Sequence, residues 1–277
     1  FKANAVTIIH TETGEVQIRN IPIPVKGIVV HCHAINYSPD NYMLLVDEDF
    51  YLLQKKTLQP QRLPLNKDAL DSAIFKHFRI IKSIVDTING KEQLLLLARI
   101  PEGNILLRYY PASGDLTSFV PPGFHNDDFR NGFTNIMKAG NGKYWISTLY
   151  NGLIYVDEAG STIQYASTQQ RVGRQIPEGA IRDFTLTTAN DLWLVIHKKG
   201  LVHISLDQTN IRYFEIFAEH HGLTDNRLYT IVNDAKQNLW LTGNAGIFCF
   251  LTEQKEFLKY TADNGLGNIK FHVYDVN

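Results

Sequence analysis

Ten histidines are the side chains best suited to holding a metal or moving a proton near neutral pH. His31 and His33 stand two apart, which on a strand puts both on one face and Cys32 on the other. A His-x-His pair can chelate zinc, but no third ligand follows at a spacing that a zinc site uses. A strand surface at a sheet contact is the simpler reading of that pair. His220-His221 lies just before Gly222-Leu223 and reads as a solvated loop. Asp127-Asp128 and Asp47-Glu48 are acidic pairs in turns. A glycosidase needs two carboxylates at a set separation across a sugar ring, and nothing in the chain places these pairs so. No Gly-x-Ser-x-Gly elbow and no Gly-rich phosphate loop opening a helix is present. These residues predict no catalytic centre, no metal and no cofactor.

A second set suits recognition. Arg130, Asn151, Arg174, Arg182, His197, Lys198, Tyr229 and Asn244 offer hydrogen-bond donors, positive charge and one stacking ring. That chemistry fits saccharides or anionic sugars. The residues are scattered through the chain, so the fold must gather them.

The elements that could do so show up as a repeat. Trp145, Trp193 and Trp240 stand 48 and 47 residues apart, and a tyrosine (Tyr165, Tyr213, Tyr260) follows each by 20. Polar turns lead into each Trp: Gly142-Lys143-Tyr144, Asn190-Asp191-Leu192 and Gln237-Asn238-Leu239. Gly152, Gly200 and Gly246 then open a second apolar run. The last full unit parses into strands at 228–233, 239–242, 247–251 and 257–260, joined by turns rich in Gly, Asn, Asp and Lys. Four strands in so short a repeat leave no room for a crossover helix. Such meanders bury their faces by stacking radially, so the predicted fold class is an all-β propeller of four-stranded antiparallel blades. Each Trp is then expected between blades.

Weaker copies extend upstream, with strands expected at 80–87, 90–97, 103–110 and 116–119, leucines standing where the Trp would fall. Before them come 28–34, 42–46, 50–54 and 60–65. Residues 5–10 and 15–21 read as the last two strands of an earlier blade, and 270–276 as the first strand of another. The expectation is five whole blades plus two partial ones, 1–277 forming a single propeller domain that is a fragment of a larger ectodomain. The alternative is a six-bladed ring closed by the two end pieces.

Composition bounds the partners. With 27 basic and 28 acidic residues the chain has no basic stripe for nucleic acid. No apolar run reaches the ~18 residues that span a bilayer, and no export signal is present, so no membrane contact is expected of this segment. Cys32 and Cys249 sit in separate apolar runs and read as buried thiols.

Gly222-Leu223-Thr224-Asp225-Asn226-Arg227, the apolar strand after it, Asn233-Asp234 and Asn238-Leu239-Trp240-Leu241 together resemble the two-component regulator propeller repeat. Gly265-Leu266-Gly267-Asn268 resembles the start of a further copy. Thr242-Gly243 departs from the family's usual Gly-Thr, and the two earliest blades lack the Trp. The resemblance implies the periplasmic sensor region of a hybrid histidine kinase, an extracytoplasmic location, possible self-association of the ectodomain, and an oligosaccharide ligand. In propellers the ligand sits at the mouth of the central channel. The loops that line that mouth include 124–132, 170–179 and 219–227 and the turns at 149–151, 197–199 and 243–245, with Arg182 and Tyr229 just beyond two of them. Two other readings stay open. A propeller lyase acting on a polysaccharide or streptogramin-like substrate would converge a His, a Tyr or an Arg–carboxylate set at one mouth, whereas an interaction scaffold would show no polar pocket.

Overall fold

The computed structural model describes residues 5–9, 16–23, 32–46, 49–66, 79–101, 103–120, 132–140, 142–158, 160–165, 176–188, 190–261 and 264. Strand 270–276, loop 11–14 and the pairs Asp47-Glu48 and Asp127-Asp128 lie outside them. The described residues form a two-stranded sheet and five four-stranded ones, every pair antiparallel and every sheet in chain order. The chain divides into two compact units, Phe1–Pro101 with Ile105–Phe119, and Glu102–Asn104 with Val120–Asn277.

In the first unit, β1 (Ala5–Ile9) pairs with β2 (Val16–Asn20). A four-stranded sheet follows, of β3 (Cys32–Asn36), β4 (Asn41–Val46), β5 (Asp49–Gln54) and β6 (Pro60–Arg62). The next is β7 (Arg79–Ile88), β8 (Lys91–Ile100), β9 (Gly103–Tyr109) and β10 (Leu116–Phe119). β3 extends two residues beyond the expected strand, and β6 stops at Arg62, three residues short of the expected end. The Pro64 carbonyl is instead taken by the Tyr109 hydroxyl at 2.6 Å. Met43, Leu45 and Phe50 of one sheet share a core with Leu94, Leu96 and Tyr109 of the next, and Phe50 stacks on Tyr109 with ring centroids 4.0 Å apart. His33 lies at this sheet contact, its Nε2 within 3.2 Å of Ser83 Oγ.

The second unit holds three sheets. The first is β11 (Phe133–Gly140), β12 (Lys143–Thr148), β13 (Leu153–Asp157) and β14 (Thr162–Tyr165). The second is β15 (Ile181–Thr188), β16 (Asp191–Ile196), β17 (Gly200–Asp207) and β18 (Asn210–Phe217). A 3-10 turn, Glu219–His221, precedes β19 (Leu228–Asn233), β20 (Leu239–Gly243), β21 (Gly246–Leu251) and β22 (Glu256–Tyr260). The first strands β11, β15 and β19 pack beside one another, which makes them the innermost strands of successive blades. The fold is a β-propeller of four-stranded antiparallel blades.

Burial follows the period of two. On β16, Leu192, Leu194 and Ile196 pack with Trp145 of the preceding blade, while Trp193 and Val195 pack forward with Leu228, Ile231 and Phe250 of the next. Trp145 and Trp193 are therefore wedges between blades, 1% and 6% exposed. Trp240 holds the equivalent place on β20 but is only half-buried among the described residues. Its indole N–H donates to Asp234 Oδ2 at 3.1 Å, and Asp234 Oδ1 accepts from the backbone of Lys236 and Asn238. Accepting from the indole holds the Asp234 carboxyl below its ordinary range. The acidic-polar turn of the repeat thus fixes the Trp rotamer. The repeated glycine has a similar account: a Cβ on Gly200 or Gly246, both at positive φ, would lie 2.5 Å from the carbonyl oxygen of Phe217 or Tyr260 on the fourth strand.

Candidate functional site

One irregularity recurs in all three innermost strands of the second unit. The ladder to the second strand slips between Phe133 and Asn135, between Ile181 and Asp183, and between Leu228 and Tyr229's neighbour Thr230. Thr134, Arg182 and Tyr229 are therefore the bulged residues of successive blades. A bulge re-aims its side chain out of the sheet alternation and is favoured beside binding sites. Two of the three are residues that the sequence nominates.

The turns between second and third strands are tied to these same strand ends. Ile181 N–H donates to Leu149 O at 2.9 Å, and His197 N–H to Ala180 O at 2.9 Å. Lys198 N–H reaches Asn226 O at 3.1 Å, and Asn244 N–H reaches Arg227 O at 3.0 Å. The fold thus gathers Asn151, Arg182, His197, Lys198, Tyr229 and Asn244 at one end of this unit. Arg130 and Arg174 lie outside the described residues.

The members differ in what they can offer. Asn151 donates its backbone N–H to Thr148 Oγ1 at 3.0 Å, a turn-closing bond. Lys198 is exposed and holds a left-handed φ of 63°, which a lysine rarely adopts. Asn244 is exposed, and its Nδ2 donates to Asp225 Oδ2 at 3.0 Å. Tyr229 is half-buried. Arg182 and His197 are also half-buried, yet Arg182 Nε and His197 Nδ1 are fully enclosed with no hydrogen-bond partner among the described residues. A buried polar group left unmade costs about 1–3 kcal/mol.

Two residues that the sequence reading omitted complete the site. Asp225 and Arg227 form an ion pair at 2.8 Å, and Asp225 also accepts the Arg227 backbone N–H at 2.9 Å. That bonding holds the Asp225 carboxyl far below its ordinary range. Asp225 and Arg227 stand in the Gly-Leu-Thr-Asp-Asn-Arg run, and bonds from Asn244 to both tie them to the turn between β20 and β21. His197 is held below its usual value mainly by burial, then by the positive charges of Arg182, Lys198 and Arg227, with Asp225 opposing. The imidazole is neutral at pH 7 in a locally cationic setting.

Other described histidines have partners of their own. His203 pairs with Asp191 at 2.9 Å and stacks on Trp193. His221 packs on Phe217, ring centroids 4.9 Å apart, so this half of the His220-His221 pair is a partly covered ring where a solvated loop was expected. Among the described residues no three His, Cys, Asp or Glu side chains are grouped to hold a metal ion.

No family model and no curated protein matches the chain by sequence. Solved structures do match by fold. The extracellular domain of a protein assigned to a hybrid two-component system in B. thetaiotaomicron aligns at a TM-score of 0.57 and 16% identity over 81% of this chain and 29% of that one. PorZ, a surface component of the type-IX secretion system of Porphyromonas gingivalis, aligns at 0.60 and 14% identity over 95% and 39%. YCF48 from Cyanidioschyzon merolae aligns at 0.54 and 13% identity over 95% and 78%. The chain spans less than a third of the sensor ectodomain's length. At these identities the likeness is one of fold, and by fold this chain is a β-propeller, as are its neighbours, a two-component sensor ectodomain among them.

Proposed function

We propose that this chain is a ligand-recognising propeller of an extracytoplasmic two-component sensor. It holds an oligosaccharide at the end of the second unit where Arg182, His197, Lys198, Tyr229 and Asn244 meet, and it releases the ligand unchanged. The observation that carries this reading is the pair of equivalent bulges that re-aim Arg182 and Tyr229 from adjacent innermost strands. A guanidinium fork and a phenol ring on adjacent strands suit a sugar, whose hydroxyls accept and donate and whose C–H face stacks on an aromatic ring. The resemblance of residues 222–268 to the sensor repeat and the fold likeness to a sensor ectodomain support the signalling context.

A thermal-shift and calorimetric screen of the full chain against oligosaccharides tests it, because a specific ligand raises the midpoint by mass action. A hit recovered chemically intact is expected. A panel that leaves the midpoint unmoved throughout contradicts the reading.

One observation favours a second reading. His197, neutral at pH 7, stands near Arg182 and the Asp225–Arg227 pair, which are the parts of a base-assisted elimination on a uronate. Incubation with an acidic polysaccharide that yields an unsaturated product absorbing in the ultraviolet, lost in His197→Gln, would make the chain a lyase.

A further inference from the structure

Three features of the gathered end point the same way. Arg182 Nε and His197 Nδ1 are enclosed and unpartnered among the described residues, on neighbouring strand ends joined by the His197 N–H to Ala180 O bond. Lys198 is exposed beside them and held at a left-handed φ. Of the acidic groups near them, Asp225 is already engaged by Arg227 and Asn244. A guanidinium N–H without an acceptor, beside an unpartnered imidazole nitrogen and close to the positive charges of Lys198 and Arg227, favours an acceptor that is itself negative. A neutral hydroxyl would satisfy the hydrogen bonds and leave the charge unbalanced.

We infer that Arg182 and His197 form an anion subsite that seats a carboxylate or sulfate group of the ligand. Resting on the recognition reading above, this makes the ligand an acidic saccharide. The anion pairs with the Arg182 guanidinium, whose enclosed Nε–H is uncovered as the anion enters. His197 takes up a proton as the anion enters and becomes its second charged partner. Lys198 lies at the rim, where it steers the anion in. Asp225 is not part of the subsite, because its oxygens are held by Arg227 and Asn244.

The test titrates the full chain with glucuronate and its methyl ester, with uronate oligosaccharides and their esterified counterparts, and with inorganic sulfate. The ring resonances of His197 are followed by NMR across pH. The acids are expected to bind more tightly than their esters and to move the His197 titration to higher pH. Arg182→Gln is expected to weaken the acids roughly 10- to 100-fold, the usual worth of a charged hydrogen bond, and the esters little. His197→Gln is expected to do likewise. Esters that bind as tightly as acids, unchanged by Arg182→Gln, overturn the anion subsite and leave the recognition reading standing. Sulfate that moves His197 while no saccharide binds keeps the subsite and overturns the saccharide. Silence from every probe overturns both. Should Arg182→Gln fail to fold, the wild-type His197 titration decides: no movement with any acid refutes the subsite.

Discussion

Asn135 Nδ2 donates to Asp183 Oδ1 at 2.6 Å, joining the innermost strands of two neighbouring blades one residue past their bulges. Asp183 Oδ2 accepts the backbone N–H of Ile231, on the innermost strand of the blade after, at 3.0 Å. One carboxylate therefore spans three blades at the strand ends that carry Arg182 and Tyr229.

Replacing Asp183 with Ala leaves the Ile231 N–H without this acceptor and the Asn135 Nδ2 with the Phe184 carbonyl alone, and the expected loss is roughly 1–3 kcal/mol in urea unfolding. Asn135→Ala should cost less, and the double mutant should lose less than the sum of the two. An Asp183→Ala variant within about 0.5 kcal/mol of wild type would show that the carboxylate holds nothing together.

The three tryptophans should separate by burial. Trp145→Ala and Trp193→Ala remove wedges packed into the following blade and should each cost about 3–5 kcal/mol. Trp240, half-buried, should cost roughly half as much. Equal losses at all three would mean that Trp240 is as enclosed as the others.

Stability should depend on pH through His197. Arg182 on β15, Lys198 in its own turn, Arg227 in the loop before β19, and above all burial, depress its proton affinity, and Asp225 opposes. The folded value lies below the unfolded 6.5, so the unfolded chain binds the extra proton first. His197 therefore contributes stability that is full above pH 6.5 and is lost as pH falls from there through the folded value. His33 and His221 are depressed as well, so the contribution of His197 is the difference between wild type and His197→Gln. The variant's midpoint should fall less between pH 7 and 5. Parallel curves would place His197 outside the cationic cluster.

The regular part of this molecule was legible in its sequence for a physical reason. The Trp wedges, the turn glycines and the alternating apolar runs are local demands that recur in the blades of the second unit. Strands 116–119 and 228–233 match residue for residue, and the other described strands shift by one or a few residues. Positions without the Trp were still readable: Leu95 holds its register on β8, three residues before the partner of Ile80, as Trp193 does before the partner of Ile181. The bulges were not legible. They arise from pairing between strands, and neither Arg182 nor Tyr229 belongs to a pattern that announces one. Asp225 and Arg227 were hidden for a similar cause, since an Asp two residues from an Arg is common in solvated loops. The loop 219–227 was itself expected at the site; the bonds from Lys198 to Asn226 and from Asn244 to Arg227 and Asp225 show which of its residues join it.

The central claim is that ligand is held at the end of the second unit where Arg182, His197 and Tyr229 meet. Amide hydrogen exchange on the full chain, with and without a saccharide that raises its thermal midpoint, tests that claim most directly. Slowed exchange is expected in peptides covering 180–183, 197–200 and 225–230, with the outer strands β18 and β22 unchanged. Protection confined to β1–β10, or to those outer strands, with 180–183 and 225–230 unaffected, would contradict it.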